Sequence, residues 1–307
     1  MAGPSQGLGQ RGSAPSVRPV TQINVSNAFS ANRATSDLTT TTGSRFWFQS
    51  ESERKSYDVG SGEMTTNSGG LQYGADVPLG EVAGGQVFGG LEFGLSSLSS
   101  DIGTSLASAN ISTDAYDATL SALWVANSQF YIDGQLSFGY FNGSIRPNDG
   151  GTVDIDGSGY EISVEVGKPF ALQNDWTLTP QVQLAYSDVN MGDVSDWAGG
   201  DRIGSLVDGD TLMARVGLRA ERAFANSSIL YGQVDFYHAF DNETSLSFGQ
   251  NTMLTAPGQN TAVLTIGGEM ALSDHSQLYG EITSETGLGN SSGDHSFGWN
   301  FGFEVQF

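Results

Sequence analysis

The sequence predicts an all-β protein, a closed antiparallel barrel of twelve strands that crosses a membrane, and three observations predict it. The first is the end of the chain, HSFGWNFGFEVQF over residues 295–307. It places Phe297, Trp299, Phe301, Phe303, Val305 and Phe307 on one face of an extended strand, and Gly298, Asn300, Gly302, Glu304 and Gln306 on the other, because strand side chains alternate with period two. An aromatic face that ends in a terminal Phe suits lipid outside and a polar lumen inside, which points to a bacterial outer membrane. The second observation is that similar alternating segments, divided by turn residues, recur about twelve times beyond Ser44. The third is that short and long connections alternate between them, as do the tight turns and longer loops of outer-membrane barrels.

Composition agrees with strands rather than helices in the membrane. Only 38% of the 307 residues are hydrophobic and the mean hydropathy is -0.21. A spanning strand needs only about 9 to 11 residues, half of them polar, so no long apolar run has to build up. A spanning helix would need roughly 20 mostly apolar residues, and the best local run, residues 120–125, is far shorter. Lys and Arg total 12 against 34 acidic residues, giving a net charge of -22; with no basic patch for phosphates, a nucleic-acid partner is excluded. The absence of cysteine removes disulfides, thiol nucleophiles and cysteine metal sites.

Residues 1–19 are rich in Gly, Pro and Ser and bury too little apolar surface to offset ordering entropy, which predicts a disordered tail or linker. An exported protein begins with a leader, and MAGPSQGLGQRGSAPSVRP has neither a basic start with an apolar core nor a cleavage site, so a natural start further upstream is expected. Residues 20–44 form a linker. Within 20–38, Ile23, Phe29, Ala31 and Ala34 lie loosely spaced among polar residues, a pattern that permits a short helix or a plain linker.

The barrel occupies residues 45–307, with strands over 45–52, 68–79, 86–97, 112–125, 129–142, 157–169, 176–188, 210–222, 229–240, 261–272, 276–286 and 295–307. Connections 126–128, 171–175, 223–228 and 273–275 are short, as is the slightly longer 80–85. Connections 143–156, 188–209 and 241–260 are long and rich in Gly, Asn, Asp and Ser. An even strand count then puts both ends of the barrel on the side of the short turns.

Facing follows from the cost of charge at bilayer depth. Ile162, Val164 and Val166 face lipid, so Glu161, Ser163 and Glu165 face inward. Likewise Val182, Leu184 and Tyr186 point out with Gln181 and Gln183 in, and Leu212, Ala214, Val216 and Leu218 point out with Arg215 and Arg219 in. The expected lumen therefore contains Asp76, Glu92, Asp117, Asp133, Glu161, Glu165, Arg215, Arg219, Asp235, Glu269, Glu281 and Glu304, with Arg45 as a further base. Such a pore favours cations if it is open; a lumen plugged and internally salt-bridged is the alternative. Trp124, Phe130, Tyr140, Trp176, Tyr186 and Trp299 fit an interfacial aromatic girdle.

Other chemistry finds no support. His238, His275 and His295 have no metal-ligand spacing, the Asp and Gly clusters at 149–151 and 208–210 lack a complete calcium loop, and no serine sits in a nucleophile elbow. No catalytic residue, metal or cofactor is expected, and the protein reads as non-enzymatic.

The residues resemble the translocator (β) domain of the monomeric autotransporters, the type V secretion proteins of Gram-negative bacteria. The resemblance covers about residues 45–307. It rests on SGGLQYGADVPLG (68–80), DAYDATLSALWVANSQFYIDGQLSFGYFNG (114–143) and GYEISVEVGKPFALQNDWTLTPQVQLAYSDV (159–189), continued in the same order by DGDTLMARVGLRAERAF (208–224), LSDHSQLYGEI (272–282) and FGFEVQF (301–307).

The resemblance implies a monomeric twelve-stranded barrel in outer-membrane lipid and lipopolysaccharide, traversed by an N-terminal linker helix in the pore at the position of residues 20–38. It implies an N-terminal passenger in cis that is exported and anchored at the cell surface. It also implies insertion by the barrel assembly machinery, with Phe301, Phe303, Val305 and Phe307 as the C-terminal assembly signal. Some members cleave their passenger inside the barrel with a linker asparagine. Asn24, Asn27 and Asn32 are present here, but no paired asparagines and no match to the linker motif of those members. The readings that compete with export are a small-solute porin-like channel and a surface adhesin barrel acting through external loops, notably 188–209.

Overall fold

The computed structural model describes residues 43–59, 62–103, 108–148, 151–191, 193–195, 202–205, 209–224, 227–240, 244–248, 251–255, 260–289 and 293–307. The linker expected over 20–38 lies outside these residues. Twelve long strands form a single closed meander: β1 (Arg45–Val59), β2 (Gly62–Val82), β3 (Gly85–Gly103), β4 (Ser108–Ala126), β5 (Tyr131–Pro147), β6 (Val153–Gly167), β7 (Trp176–Met191), β8 (Gly209–Ala223), β9 (Ile229–Ala239), β10 (Asn260–Ser273), β11 (Ser276–Leu288) and β12 (His295–Gln306). Each pairs antiparallel with its neighbours in sequence. The first and last strands close the ring, in register from Arg45↔Gln306 to Ser56↔His295. Closure leaves no sheet edge, which lets every ladder amide find a partner where there is no water. Reciprocal bonds from Ser44 N to Phe307 O (3.1 Å) and from Phe307 N to Ser44 O (3.0 Å) clasp the two ends.

Every connection at the end where β1 starts and β12 finishes, here the near end, is eight residues or fewer, and the two long connections, 192–208 and 240–259, lie at the far end; contrary to expectation the far end is not uniformly long, since 60–61 and 104–107 are also short. Ala83 and Gly84 have φ of 51° and 73°, the left-handed pair that matches the twist of a two-residue hairpin. Asn174 and Asp175 are left-handed too, in a three-residue loop closed by Leu172 N bonded to Trp176 O at 2.7 Å. The short strand Phe170–Ala171 folds back on β7. At the far end, Asp193–Ser195, Arg202–Ser205, Thr244–Phe248 and Asn251–Thr255 form a separate four-stranded sheet joining the β7–β8 and β9–β10 connections. Residues 188–209 and 241–260, expected as irregular loops, therefore contain strand.

The largest departure from the sequence reading is the length of β1 to β6. Their far ends extend past the expected limits, so that most of 143–156, expected as a loop, belongs to β5 and β6. The reason lies in side-chain parity. On β5, Ile132, Leu136, Phe138 and Tyr140 face outward beside inward Asp133, Gln135 and Ser137. Four residues further along, outward Asn142, Ser144 and Arg146 accompany inward Phe141 and Ile145. The strand continues, but its outer face has turned polar and its apolar residues now point inward. The same reversal occurs on β4, where Ile111 is buried while Ser112 and Asp114 point out. On β6, Ile155 is buried between outward Asp154 and Asp156.

Two regions result. The belt is apolar outside, with girdle residues such as Trp124, whose Nε1 donates to Val82 O at 2.9 Å, and Tyr160 against Tyr186 with ring centres 6.2 Å apart. The collar beyond it is polar outside and apolar inside. Glycines let large inner side chains lie flat across the wall: a Cβ at Gly74, Gly167 or Gly302 would collide with Trp47, Tyr131 or Tyr279, its partner on the adjoining strand.

Candidate functional site

The inner wall is the place where buried charge accumulates. Because parity is constant along each strand, lipid-facing neighbours force the intervening polar residues inward. Asp76, Glu92, Asp117, Asp133, Glu161, Glu165, Arg215, Arg219, Asp235, Glu269, Glu281 and Glu304 are all buried, and all lie on the inner parity of their strands. Arg45 joins them at 4% exposure. Sequence reasoning missed Glu51, Glu53, Lys55, Glu221 and Glu285, which share that parity. Glu53 and Lys55 were passed over because the strand was ended at residue 52; parity counted from Arg45 would have found them, and Glu51 with them.

The charges fall into three groups. At the near end Arg45 reaches across the closure seam, with Nε 2.5 Å from Asp76 on β2 and Nη1 3.2 Å from Glu304 on β12. In the middle Arg215 on β8 pairs with Asp235 on β9 at 2.9 Å and, across β7, with Glu165 on β6. Tyr131 donates to Glu165 at 2.7 Å, Gln181 donates to Tyr131 at 3.2 Å, and Gln233 donates both to Gln181 at 3.2 Å and to Asp235 at 2.9 Å. This network crosses five strands, β5 to β9. Beside it the Arg219 guanidinium stacks on the Tyr231 ring at 3.5 Å and bonds Glu221 at 3.0 Å. Tyr231 in turn donates to Glu281 at 2.7 Å, as does Asn300 at 2.6 Å. Towards the far end Lys55 lies 3.4 Å from Glu53 and 3.7 Å from Glu285.

Between the Arg45 and Lys55 pairs, the middle of the wall of β1 to β4 differs. Glu51 Oε2, Glu92 Oε1 and Asp117 Oδ2 are buried with no hydrogen-bond partner among the described residues. Glu51 lies over Gly70 and Asp117 over Gly94. The lumen therefore has a paired, cross-linked side and a side where negative charge is uncompensated by the described residues. Fixed charge in such a confined cleft concentrates counter-ions and repels anions.

No three His, Asp or Glu side chains are disposed to hold a metal ion among the described residues. His238 Nδ1 lies 2.9 Å from Asn260 Oδ1 and His295 Nδ1 lies 3.1 Å from Gly293 O; both are strand-end contacts. The terminal aromatic residues Phe301, Phe303 and Phe307 are exposed on the outer face, Phe307 at 76%, with Val305 half-buried among them.

Residues 46–283 match the family model described as the autotransporter beta-domain. A curated relative, the adhesin BmaC autotransporter of Brucella suis biovar 1 (strain 1330), is 26% identical over 249 residues, covering 77% of this chain and 7% of that protein. The chain thus spans less than a tenth of that relative's length. Among solved structures it is similar to the transport unit of the autotransporter AIDA-I from Escherichia coli, with TM-score 0.75 and 16% identity over 88% of this chain and 92% of that one. The translocator domain of the autotransporter NalP from Neisseria meningitidis gives TM-score 0.70 and 16% identity over 87% and 89%. At such identities the likeness is one of fold.

Proposed function

Since this chain belongs to the autotransporter family through its β-domain, a barrel of the Gram-negative outer membrane, we propose that it exports an N-terminal passenger and anchors it at the cell surface. The observation that carries this reading is the position of the barrel's start. β1 begins at the near end, beside the terminal Phe307, and since the long connections 192–208 and 240–259 both lie at the opposite end, the near end is read as the periplasmic side. A segment preceding Gly43 can then reach the far, external side only by passing through the ring.

On this reading residues 1–19 are a tail, residues 20–44 a linker with a short pore helix over 20–38, and residues 45–307 a monomeric translocator in outer-membrane lipid and lipopolysaccharide. Residues 1–42 carry three bases, Arg11, Arg18 and Arg33, against the single acid Asp37, a balance opposite to that of the acidic wall. The twelve inner charged residues named above line the conduit, while the paired arginines fix its shape. Phe301, Phe303, Val305 and Phe307 present the aromatic face that the barrel assembly machinery takes up. The barrel itself performs no catalysis.

The test places an epitope tag between an added signal peptide and Ala2 in intact Gram-negative cells and applies external protease. Removal of the tag while periplasmic markers survive is the expected result. A tag that stays protected although the barrel is inserted would overturn export, and would favour a standing channel or an adhesin.

A further inference from the structure

From the outer face of β1 to β4 we infer that the barrel holds one phosphorylated glycolipid of the outer leaflet, of lipid A chemistry, in a groove beside Arg54. The inference goes beyond export and rests on that reading only for the orientation, far end outward. Strand registers build the site. Ser50, Leu71, Leu95 and Tyr116 lie side by side on the outer face, and Ser52, Gly69, Ser97 and Asp114 form the next outward row towards the far end. Trp299 stands beside Ser52, and Arg54 is the next outward residue of β1, between Phe297 and Asn67. The small second row leaves the surface hollow. Trp299, Leu71, Leu95 and Tyr116 stand around a floor that includes Gly69 and Ser97, an open groove of about 680 Å³. A Cβ at Gly69 would meet nothing closer than Glu51 O at 3.6 Å.

Position and charge select the occupant. The groove straddles the level at which the outer face turns from Leu71, Leu95 and Tyr116 to Gly69, Ser97 and Asp114, so its lower part suits acyl chain and its upper part a polar headgroup. Trp299 and Tyr116 supply aromatic surface at that boundary. Elsewhere the outer face of the collar strands is acidic, with Glu63, Asp101, Asp114, Asp154 and Asp156 exposed. Arg54 is exposed, is the single outward base on β1 to β4 among the described residues, and stands outside every ion pair they make. An anionic headgroup is therefore turned away around most of the collar and admitted here, where a guanidinium can take a phosphate through two parallel hydrogen bonds. Asp114 and the Ser50 and Ser97 hydroxyls are left as partners for sugar hydroxyl and amide groups. Arg54 and Asp114 stand three strand spacings apart, roughly 14 Å, wider than a phosphoglycerol headgroup and matched by a phosphorylated disaccharide.

The test uses the full 307-residue chain, folded in detergent micelles and checked for barrel closure by heat-modifiable migration. Diphosphoryl lipid A is added with phosphatidylglycerol in excess, and bound lipid is read by native mass spectrometry. One lipid A per barrel is expected. Arg54→Gln should lower its retention about tenfold, the effect of losing a charge-assisted contact, and Gly69→Leu, which fills the floor from the lipid side, should lower it as well. Arg146→Gln, at an exposed base of β5 away from the groove, should leave it unchanged. Unchanged retention in both Arg54→Gln and Gly69→Leu would overturn the site, as would an equal loss in Arg146→Gln. Dephosphorylated lipid A bound as well as the diphosphoryl form would remove the phosphate contact and overturn it too. Phosphatidylglycerol displacing lipid A on equal terms would reduce the groove to a general phospholipid contact and end the proposal. Export is judged separately: lipid A held as expected while the tag of the protease test stays protected leaves the site standing without export, and a cleaved tag with no lipid A held leaves export standing without the site.

Discussion

Belt and collar are made from the same strands and obey opposite rules. Within β6, Ile162, Val164 and Val166 face outward while Glu161 and Glu165 are buried; five residues earlier, Asp154 and Asp156 face outward while Ile155 is buried. Nothing in the backbone changes between them, since the ladder from β5 to β6 runs without a break from Tyr131↔Gly167 to Ile145↔Val153. What changes is the medium outside. In lipid the polar side chains must turn inward and find partners there; in water the preference returns to that of a soluble sheet, with apolar residues on the covered face. The level at which the pattern reverses marks the outer boundary of the membrane more directly than the girdle aromatics do.

The strongest way to break the comparison is to remove a charge from the belt interior. Arg215→Ala would leave Glu165 and Asp235 buried without their guanidinium, and a loss of about 3 to 5 kcal/mol is expected, read from denaturant unfolding in detergent or lipid. A loss below about 1 kcal/mol would mean that the network is solvated rather than structural. Next in size is a charge placed on the outer face. Val164→Arg in the belt should cost about 2 to 4 kcal/mol of folding into lipid, and Ser158→Arg on the same face of the same strand only about 0 to 1. Equal costs at the two positions would place the membrane boundary elsewhere.

Within the collar, Ile155→Ala should cost about 2 kcal/mol, the low end for a buried isoleucine, because the wall is packed on one side by the barrel alone. The smallest effect is expected at the joint between β11 and β12. Gly302→Ala places a methyl where the Tyr279 ring lies, an overpacking of about 1 kcal/mol seen as a lower unfolding midpoint, and Tyr279→Ala combined with it should relieve the clash.

The existence and order of the twelve strands were legible because the lipid-facing residues repeat every second position over a full belt. Strands β8 to β12 were bounded within two residues of their observed limits. The alternation that sets buried Glu161, Arg215, Glu281 and Glu304 beside outward Ile162, Val216, Ile282 and Phe303 follows the same period of two. The collar escaped because its apolar residues are sparse. Met64, Ile102 and Ile111 stand among Thr, Ser, Asn and Gly, and such stretches read as loops when one looks for a lipid face. Lys55 was lost with them, although it closes a pair to Glu285 across the seam between first and last strands.

By itself, then, the sequence determined the strand count, the inside and outside of each belt segment, and the side on which the ends of the barrel meet, all from period-two alternation against an apolar solvent. Only the tertiary structure decided which charges meet. Arg215 draws Glu165 and Asp235 from positions 50 and 20 residues away in sequence, through registers between strands that no local pattern encodes. It also decided where the membrane stops, because a strand that leaves lipid for water keeps its hydrogen bonds and exchanges only the solvent against which its faces are sorted.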